Sequence, residues 1–390
     1  MRIKSLSALQ NCRGKVVFLR LDLNVPFAAG KIRDDFKIIA ALDTINFLRS
    51  RGARLVIATH LGEPQGPDAA YSVRPIARRL RSLLKCPAPF LPVAAGPLVQ
   101  AAIKKLKPGG LVVLENLRFQ EGEYANDLSF AKSLAAGMDL YVNDAFAVSH
   151  RCQASVAAIK KYLPSYAGLS LEKELRALGR ILRPKKPLVV IMGGAKIKTK
   201  APLLAKLRPA ASRILVGGGL ANNFFKFQGW EVGGSLVDDG SAAVVKKFFK
   251  GRQLDRKIIL PLDVVVAGKN GRVRVVSPAA VKKSEQILDI GPSTIAAYAA
   301  FIKQAQTIIW NGPLGKFEEA SFKHGTLAIA ALIAARSSGR AYGVVGGGET
   351  VAALKLTKMS EYIDWISTAG GAMLAYLGGE PMPGLSQIVK

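Results

Sequence analysis

Eight short apolar runs recur along this chain, and each is followed by a stretch of helical periodicity. They are KVVFLRLDL (15–23), RLVIAT (54–59), GLVVLEN (110–116), DLYVND (139–144), PLVVIM (187–192), RILVG (213–217), TIIWNG (307–312) and AYGVVGG (341–347). Because successive rather than alternate positions are apolar, these runs read as strands buried on both faces. Each face then needs a covering helix. Strand–helix alternation with right-handed crossovers gives parallel α/β sheets. The helices have readable ends: Ser72 and Asp127 stand at N-caps, Gly137 at a stop, and Pro292 at a first helical position. A chain of 390 residues exceeds what one core supports, so two domains are expected. The connector KKYLPSYAG (160–168) precedes SLEKELRALGRILRP (170–184), which reads as one helix over about 170–183 ended by Pro184.

Charge narrows the function classes. Lys plus Arg number 56 against 27 Asp plus Glu, a net charge of +29. Residues 1–165 hold 24 basic and 12 acidic side chains, and residues 166–390 hold 32 and 15. The excess is spread over both halves, without a basic tail, zinc-finger spacing or RNP motif. No specific nucleic-acid partner is therefore expected, although polyanions would be attracted at low salt. No apolar stretch reaches the roughly 18–20 residues of a spanning helix, so no membrane partner is expected. Cys12, Cys86 and Cys152 are scattered, as in a protein with reduced thiols, and no leader-like segment opens the chain. A cytoplasmic monomer is the expectation.

Ligands of open α/β sheets bind at the carboxyl ends of strands. In the first half those ends carry Asp22, Asn24, His60, Glu115, Asn116, Arg118, Asn143 and Asp144, with His150 and Arg151 beyond. A histidine and two arginines in one crevice suit a small anion. In the second half the ends are glycine-rich: MGGAK (192–196), VGGGLAN (216–222), WNGPLG (310–315), VGGGET (345–350) and STAGGA (367–372). Glycine admits close backbone approach, and amides at a helix start face phosphate oxygens. Five such turns exceed what packing alone calls for. None has P-loop or dinucleotide-fold spacing. Lys196 and Lys200 are four apart, hence on one face if a helix begins there, with Lys198 pointing elsewhere.

RLDLNVP (20–26), THLGEPQG (59–66), LENLRFQEGE (114–123), YVNDAFAVSHR (141–151), GGAKIKTK (193–200), LDIGPST (288–294), WNGPLGKFE (310–318), VGGGETVAA (345–353) and STAGGAMLAYLGGEPMPG (367–384) resemble the phosphoglycerate kinase family, in order and over essentially the whole chain. The resemblance implies two Rossmann-like three-layer domains joined by an interdomain helix and hinge. Residues 1–165 with 374–390 would bind phosphoglycerate, and 166–373 an adenine nucleotide with Mg²⁺. It implies reversible phosphoryl transfer between 1,3-bisphosphoglycerate and ADP, with hinge closure. Asp22, Asn24, Lys37, His60, Glu63, Arg118 and Arg151 fall at its acid-binding positions. Gly193, Lys196, Lys200, Gly217, Gly218, Asn311, Glu318, Gly347, Gly348, Glu349 and Thr350 fall at its nucleotide positions, Glu349 at the metal. Lys37, Lys196, Lys200, Gly348 and Gly371 fall at catalytic ones.

Several positions depart from the family pattern. Lys37 and Glu63 stand for arginines, Ala147–Val148 for Gly–Thr, Thr199 and Glu349 for aspartates, and Ala369 for a glycine. Ile287 and Lys316 stand where small or apolar residues line the adenine pocket. Such departures leave a second reading open: a paralogue with impaired or altered activity, binding nucleotides or anions or phosphorylating another carboxylate.

Overall fold

The computed structural model describes residues 2–9, 11–28, 31–238, 240–269 and 271–389. The chain divides into two compact units, Met1–Arg176 with Pro381–Lys390, and Ala177–Glu380. The division falls inside the helix Leu169–Leu182, rather than ahead of it at 165/166, and the returning segment begins at Pro381 rather than 374.

The first unit is built on a six-stranded parallel sheet in the order Phe90–Leu91, Leu111–Leu114, Arg54–Ala58, Val16–Leu21, Leu140–Asp144, Ser165–Ala167. All six residues of the central strand Val16–Leu21 are buried, which is why its sequence is apolar without alternation. One face packs Val17, Leu19, Leu55 and Ile57 against Ile38, Ile45 and Leu80 from two helices. Each such side chain contributes about 1.5–3 kcal/mol on full burial. The single charged residue of that strand, Arg20, is also fully buried. The carboxyl-terminal segment belongs to this unit: Lys4 N donates to Ile388 O (2.8 Å), Asn143 Nδ2 to Gly384 O (3.0 Å), and Lys160 Nζ to Ser386 O (3.0 Å).

The second unit repeats the architecture with the strand order Ile258–Ile259, Arg213–Val216, Leu188–Met192, Thr307–Asn311, Tyr342–Gly346, Trp365–Ser367, again all parallel. Trp310 on the strand Thr307–Asn311 is fully buried, and its indole N–H donates to Gly312 O (2.9 Å). The eight runs legible in the sequence are the central strands of the two sheets. Edge strands of two or three residues are too short to show a pattern. An antiparallel sheet of Val273–Val276, Val264–Gly268 and Glu285–Ile290 lies outside the parallel-only expectation. Its outer strand exposes Val273 and Val275, so the apolar signal there is that of an edge, not a core.

Candidate active site

In the first unit, the loops after the central strands are tied to one another. Asn24 Oδ1 accepts from Gly62 N (3.0 Å), and Leu23 N donates to Thr59 Oγ1 (3.1 Å). Gly62 has φ +60°, and a Cβ there would run into the Tyr71 ring, so the turn needs glycine. Lys37 Nζ meets Asp22 Oδ2 at 2.7 Å. Arg118 is 4 % exposed; its Nη1 donates to Gly62 O (2.7 Å), while its Nε is buried without a partner. Glu63 Oε1 lies 3.6 Å from Arg118 Nη1 and 3.8 Å from Arg151 Nη2. Thus the structure brings Arg118, Arg151 and Glu63 together, with Asn24 bound to the same loop, and sets Asp22 against Lys37.

His60 is buried, and Arg20 Nη2 sits 3.3 Å from its Nδ1. A guanidinium only donates, so Nδ1 accepts and the ring proton is on Nε2. Burial, reinforced by the charges of Arg20, Arg118, Lys37 and Arg151, holds this imidazole well below its ordinary range, and it is neutral at physiological pH. Arg20 is anchored in turn: its Nε donates to Ser155 Oγ (2.9 Å), and Ser155 donates its hydroxyl (2.6 Å) and its N–H (2.9 Å) to the two oxygens of buried Glu123. Reading the sequence by strand ends missed Arg20, Ser155 and Glu123. The signal for the first was present, a lone arginine inside an apolar strand.

The remaining strand-end polar residues of this unit serve the fold. Glu115 accepts from Val73 N and Ser72 Oγ (both 2.8 Å) at the start of the helix Arg74–Leu84. Asn116 bonds Leu61 on both its amide groups. Asp144 accepts from Thr44 Oγ1 (2.6 Å) and Leu171 N (2.8 Å); burial pushes its carboxyl up to about 6.

In the second unit, four helices start at strand carboxyl ends without a side-chain cap: Ile197–Leu207, Gly218–Phe227, Gly348–Leu356 and Gly370–Gly378. Two of these starts are partly taken up within the protein: Gly218 N donates to Leu314 O (2.9 Å), Leu220 N to Gly194 O (2.8 Å), and Lys198 N approaches Asp238 Oδ2 at 3.4 Å. The first-turn amides at Gly348 and Gly371 are the ones an anion can use. Gly348 and Gly371 are exposed in the first turns of the last two helices. Lys200 is buried, and its Nζ donates to Gly193 O. Burial pulls its ammonium down to about 8, with Glu349 opposing the shift. Gly312, at φ +90°, must lack a Cβ, which would collide with Lys200 Nζ and with the Gly193 backbone. Lys196 is exposed and extended at the N-cap, ahead of the helix. The two lysines therefore do not share a helix face as their spacing implied; one is buried beneath the loops and the other is exposed.

A cavity of about 310 Å³ opens beside the starts of Gly218–Phe227 and Gly348–Leu356. Gly218, Glu318 and Glu349 line it, as do Ile287 and Lys316. Phe225, Leu236 and Gln286 also line it, a set the sequence reading did not find because Leu236 and Gln286 come from outside the glycine turns. Asn311 and Thr350 are not in the wall. Both are buried, with Asn311 Nδ2 donating to Gly346 O (2.7 Å) and Thr350 Oγ1 accepting from Gly312 N (2.7 Å). Gly193 packs on the Pro313 carbonyl and Gly217 on Leu314. Gly347 packs beside the Asn311 amide. Packing thus accounts for more of the glycine excess than the sequence suggested, and the open positions are Gly348 and its neighbours at helix starts.

The family model for phosphoglycerate kinase matches residues 6–380. A phosphoglycerate kinase of Rubrobacter xylanophilus is 43% identical over 379 residues, 96% of this chain and 95% of its own length. That of Borreliella burgdorferi is 40% identical over 391 residues, 99% of each chain. The solved phosphoglycerate kinase of Coxiella burnetii superposes with a TM-score of 0.87 at 38% identity, covering 100% of both chains. That of Pyrococcus horikoshii gives 0.82 at 31% identity over 98% of each. With two parallel α/β units, an arginine–histidine crevice in one and glycine-opened helix starts around a cavity in the other, the chain belongs to the phosphoglycerate kinase family.

Proposed function

We propose that this chain transfers a phosphoryl group reversibly between ATP and the carboxylate of 3-phosphoglycerate, giving 1,3-bisphosphoglycerate and ADP, a step of glycolysis and gluconeogenesis. The observation that carries the reading is buried Lys200, under the charge of Glu349, with the uncapped start of Gly348–Leu356 beside a cavity that Glu318 and Glu349 line. In the forward sense a carboxylate oxygen attacks the γ-phosphorus, its new P–O bond forms, and the bond to the β-phosphate oxygen breaks. No protein nucleophile takes part, so catalysis is positioning and electrostatic stabilisation. His60, Arg118 and Arg151 bind the acid, with Asn24 and the Asp22–Lys37 pair shaping the crevice and Lys37 supplying a cation to the reacting carboxyl. Glu318 accepts from the ribose hydroxyls. Lys196, Lys200 and the amides at Gly348 and Gly371 hold the charge spread over the transferring group. Asn311, Thr350, Gly193, Gly217, Gly218 and Gly347 shape the loops that present those groups.

Among the described residues, no group of three or more His, Cys, Asp or Glu side chains is arranged to hold a metal. One exposed carboxylate, Glu349, lies in the cavity wall at a helix start. That fits Mg²⁺, which is held by one or two carboxylates together with substrate phosphates and water. When bound, it neutralises charge on the nucleotide phosphates. Replacing Glu349 with Gln is expected to raise the Mg²⁺ concentration for half-maximal rate about tenfold or more, read from a Mg²⁺ titration at fixed nucleotide. An unchanged midpoint would remove Glu349 from the metal.

The reaction itself is tested by a coupled assay with ATP and 3-phosphoglycerate beside a panel of other carboxylates. Turnover restricted to 3-phosphoglycerate is expected. No turnover with intact Mg–ADP binding would overturn the reading.

A further inference from the structure

Arg118 and Arg151 have one acid within ion-pair distance among the described residues, Glu63, and one oxygen of it, Oε1, faces both. The two sides of this contact differ. Arg118 is 4 % exposed and holds a buried Nε with no hydrogen-bond partner, so its charge is desolvated and its donor set incomplete. Glu63 is 70 % exposed, in the loop between Gly62 and Pro64, and makes no hydrogen bond shorter than its two ion-pair approaches of 3.6 and 3.8 Å. A buried cation needs an anion, and an exposed carboxylate that supplies one at long range is easily replaced.

We propose that Glu63 is a built-in competitor: its carboxylate occupies the Arg118–Arg151 pair in the free protein and must leave when an oxyanion ligand binds there. Only the identity of the natural ligand, the phosphate of 3-phosphoglycerate, rests on the functional reading above; the competition itself rests on the ion pairs. The consequence is that Glu63 sets the concentration at which the crevice fills. The free site behaves as if a monoanion were already bound, so phosphate esters and free oxyanions alike bind more weakly than two bare arginines would hold them. The planar forks of both arginines, and the idle Nε of Arg118, then complete their hydrogen bonds on a tetrahedral oxyanion that offers more acceptor oxygens than a carboxylate. Lys37 and Arg20 do not enter this competition, because each already has its own partner in Asp22 and in Ser155–Glu123.

The test is calorimetric titration of the full chain, without nucleotide, using 3-phosphoglycerate and, separately, inorganic sulfate. Glu63→Gln and Glu63→Ala are compared with the parent. Both variants are expected to bind both ligands about tenfold more tightly, as expected for removal of a close competing charge. The gain should shrink at about 0.5 M salt, where the competing charge is screened. Equal gains for Gln and Ala assign the effect to charge rather than shape. Dissociation constants within twofold of the parent for both ligands, or weaker, would overturn the proposal. If sulfate tightens but 3-phosphoglycerate binds none of the three proteins, the competitor stands and the phosphoglycerate reading fails. If 3-phosphoglycerate binds all three equally, the reading stands and the competitor fails.

Discussion

Replacing Lys200 with Met is expected to lower kcat by about 10²–10³, the usual cost of removing one preorganised donor to a developing anion. The side chain is buried beneath Gly193 and Gly312, and its ammonium is aimed by that carbonyl rather than by solvent. The same burial gives a pH signature. A lysine drawn down to about 8 is charged below that pH and increasingly neutral above it. Mg–ADP affinity should therefore fall as pH rises through about 8. Above it, binding should take up a proton, because the bound phosphates favour the ammonium. Calorimetry in buffers of different ionisation enthalpy reads that uptake directly, and the Met variant should show none. A kcat within tenfold of the parent would mean that Lys200 supports the loop and does not touch the transferring group.

The second large effect is on stability. Glu123→Ala should destabilise the first unit by about 3–5 kcal/mol, the range for removing one partner of a buried charge pair. Glu123 and Arg20 are both fully buried and communicate through Ser155, which donates to the carboxylate and accepts from the guanidinium. Without Glu123, the charge on Arg20 has lost its main compensation; burial already pulls that guanidinium down, and Glu123 is the largest influence holding it up. Urea unfolding measures the loss. The double variant Glu123→Leu with Arg20→Met should recover most of it, since the buried charge is then gone. It should not recover acceptor binding, because His60 has lost the donor that sets its tautomer. Destabilisation below about 1 kcal/mol for the single variant, against the range expected of buried pairs, would show that the chain Glu123–Ser155–Arg20 is not a charge-compensating unit.

These two sites show where local sequence stops being informative. Lys200 stands out as a cation close after a glycine turn. That its neighbour Lys196 is exposed while it is buried depends on Gly312, more than a hundred residues later. Asn311 and Thr350 read as ligand contacts from their motifs; in the fold, Asn311 Nδ2 donates to Gly346 O and Thr350 Oγ1 accepts from Gly312 N. Which of two possible partners a polar side chain takes is decided by backbone groups from other strands. A motif does not contain them.

The sequence alone determined the two parallel sheets, their covering helices and the polar or glycine-rich character of the strand ends. Strands buried on both faces must be apolar at successive positions, and Gly, Pro, Ser and Asp punctuate helices by local geometry, so both signals survive in one dimension. The tertiary structure alone decided how the polar groups are shared out. Glu63 gains its meaning from Arg118 and Arg151, and Arg20 from Ser155 and Glu123, because a charge is stabilised by whatever lies within a few ångströms, however distant in the chain.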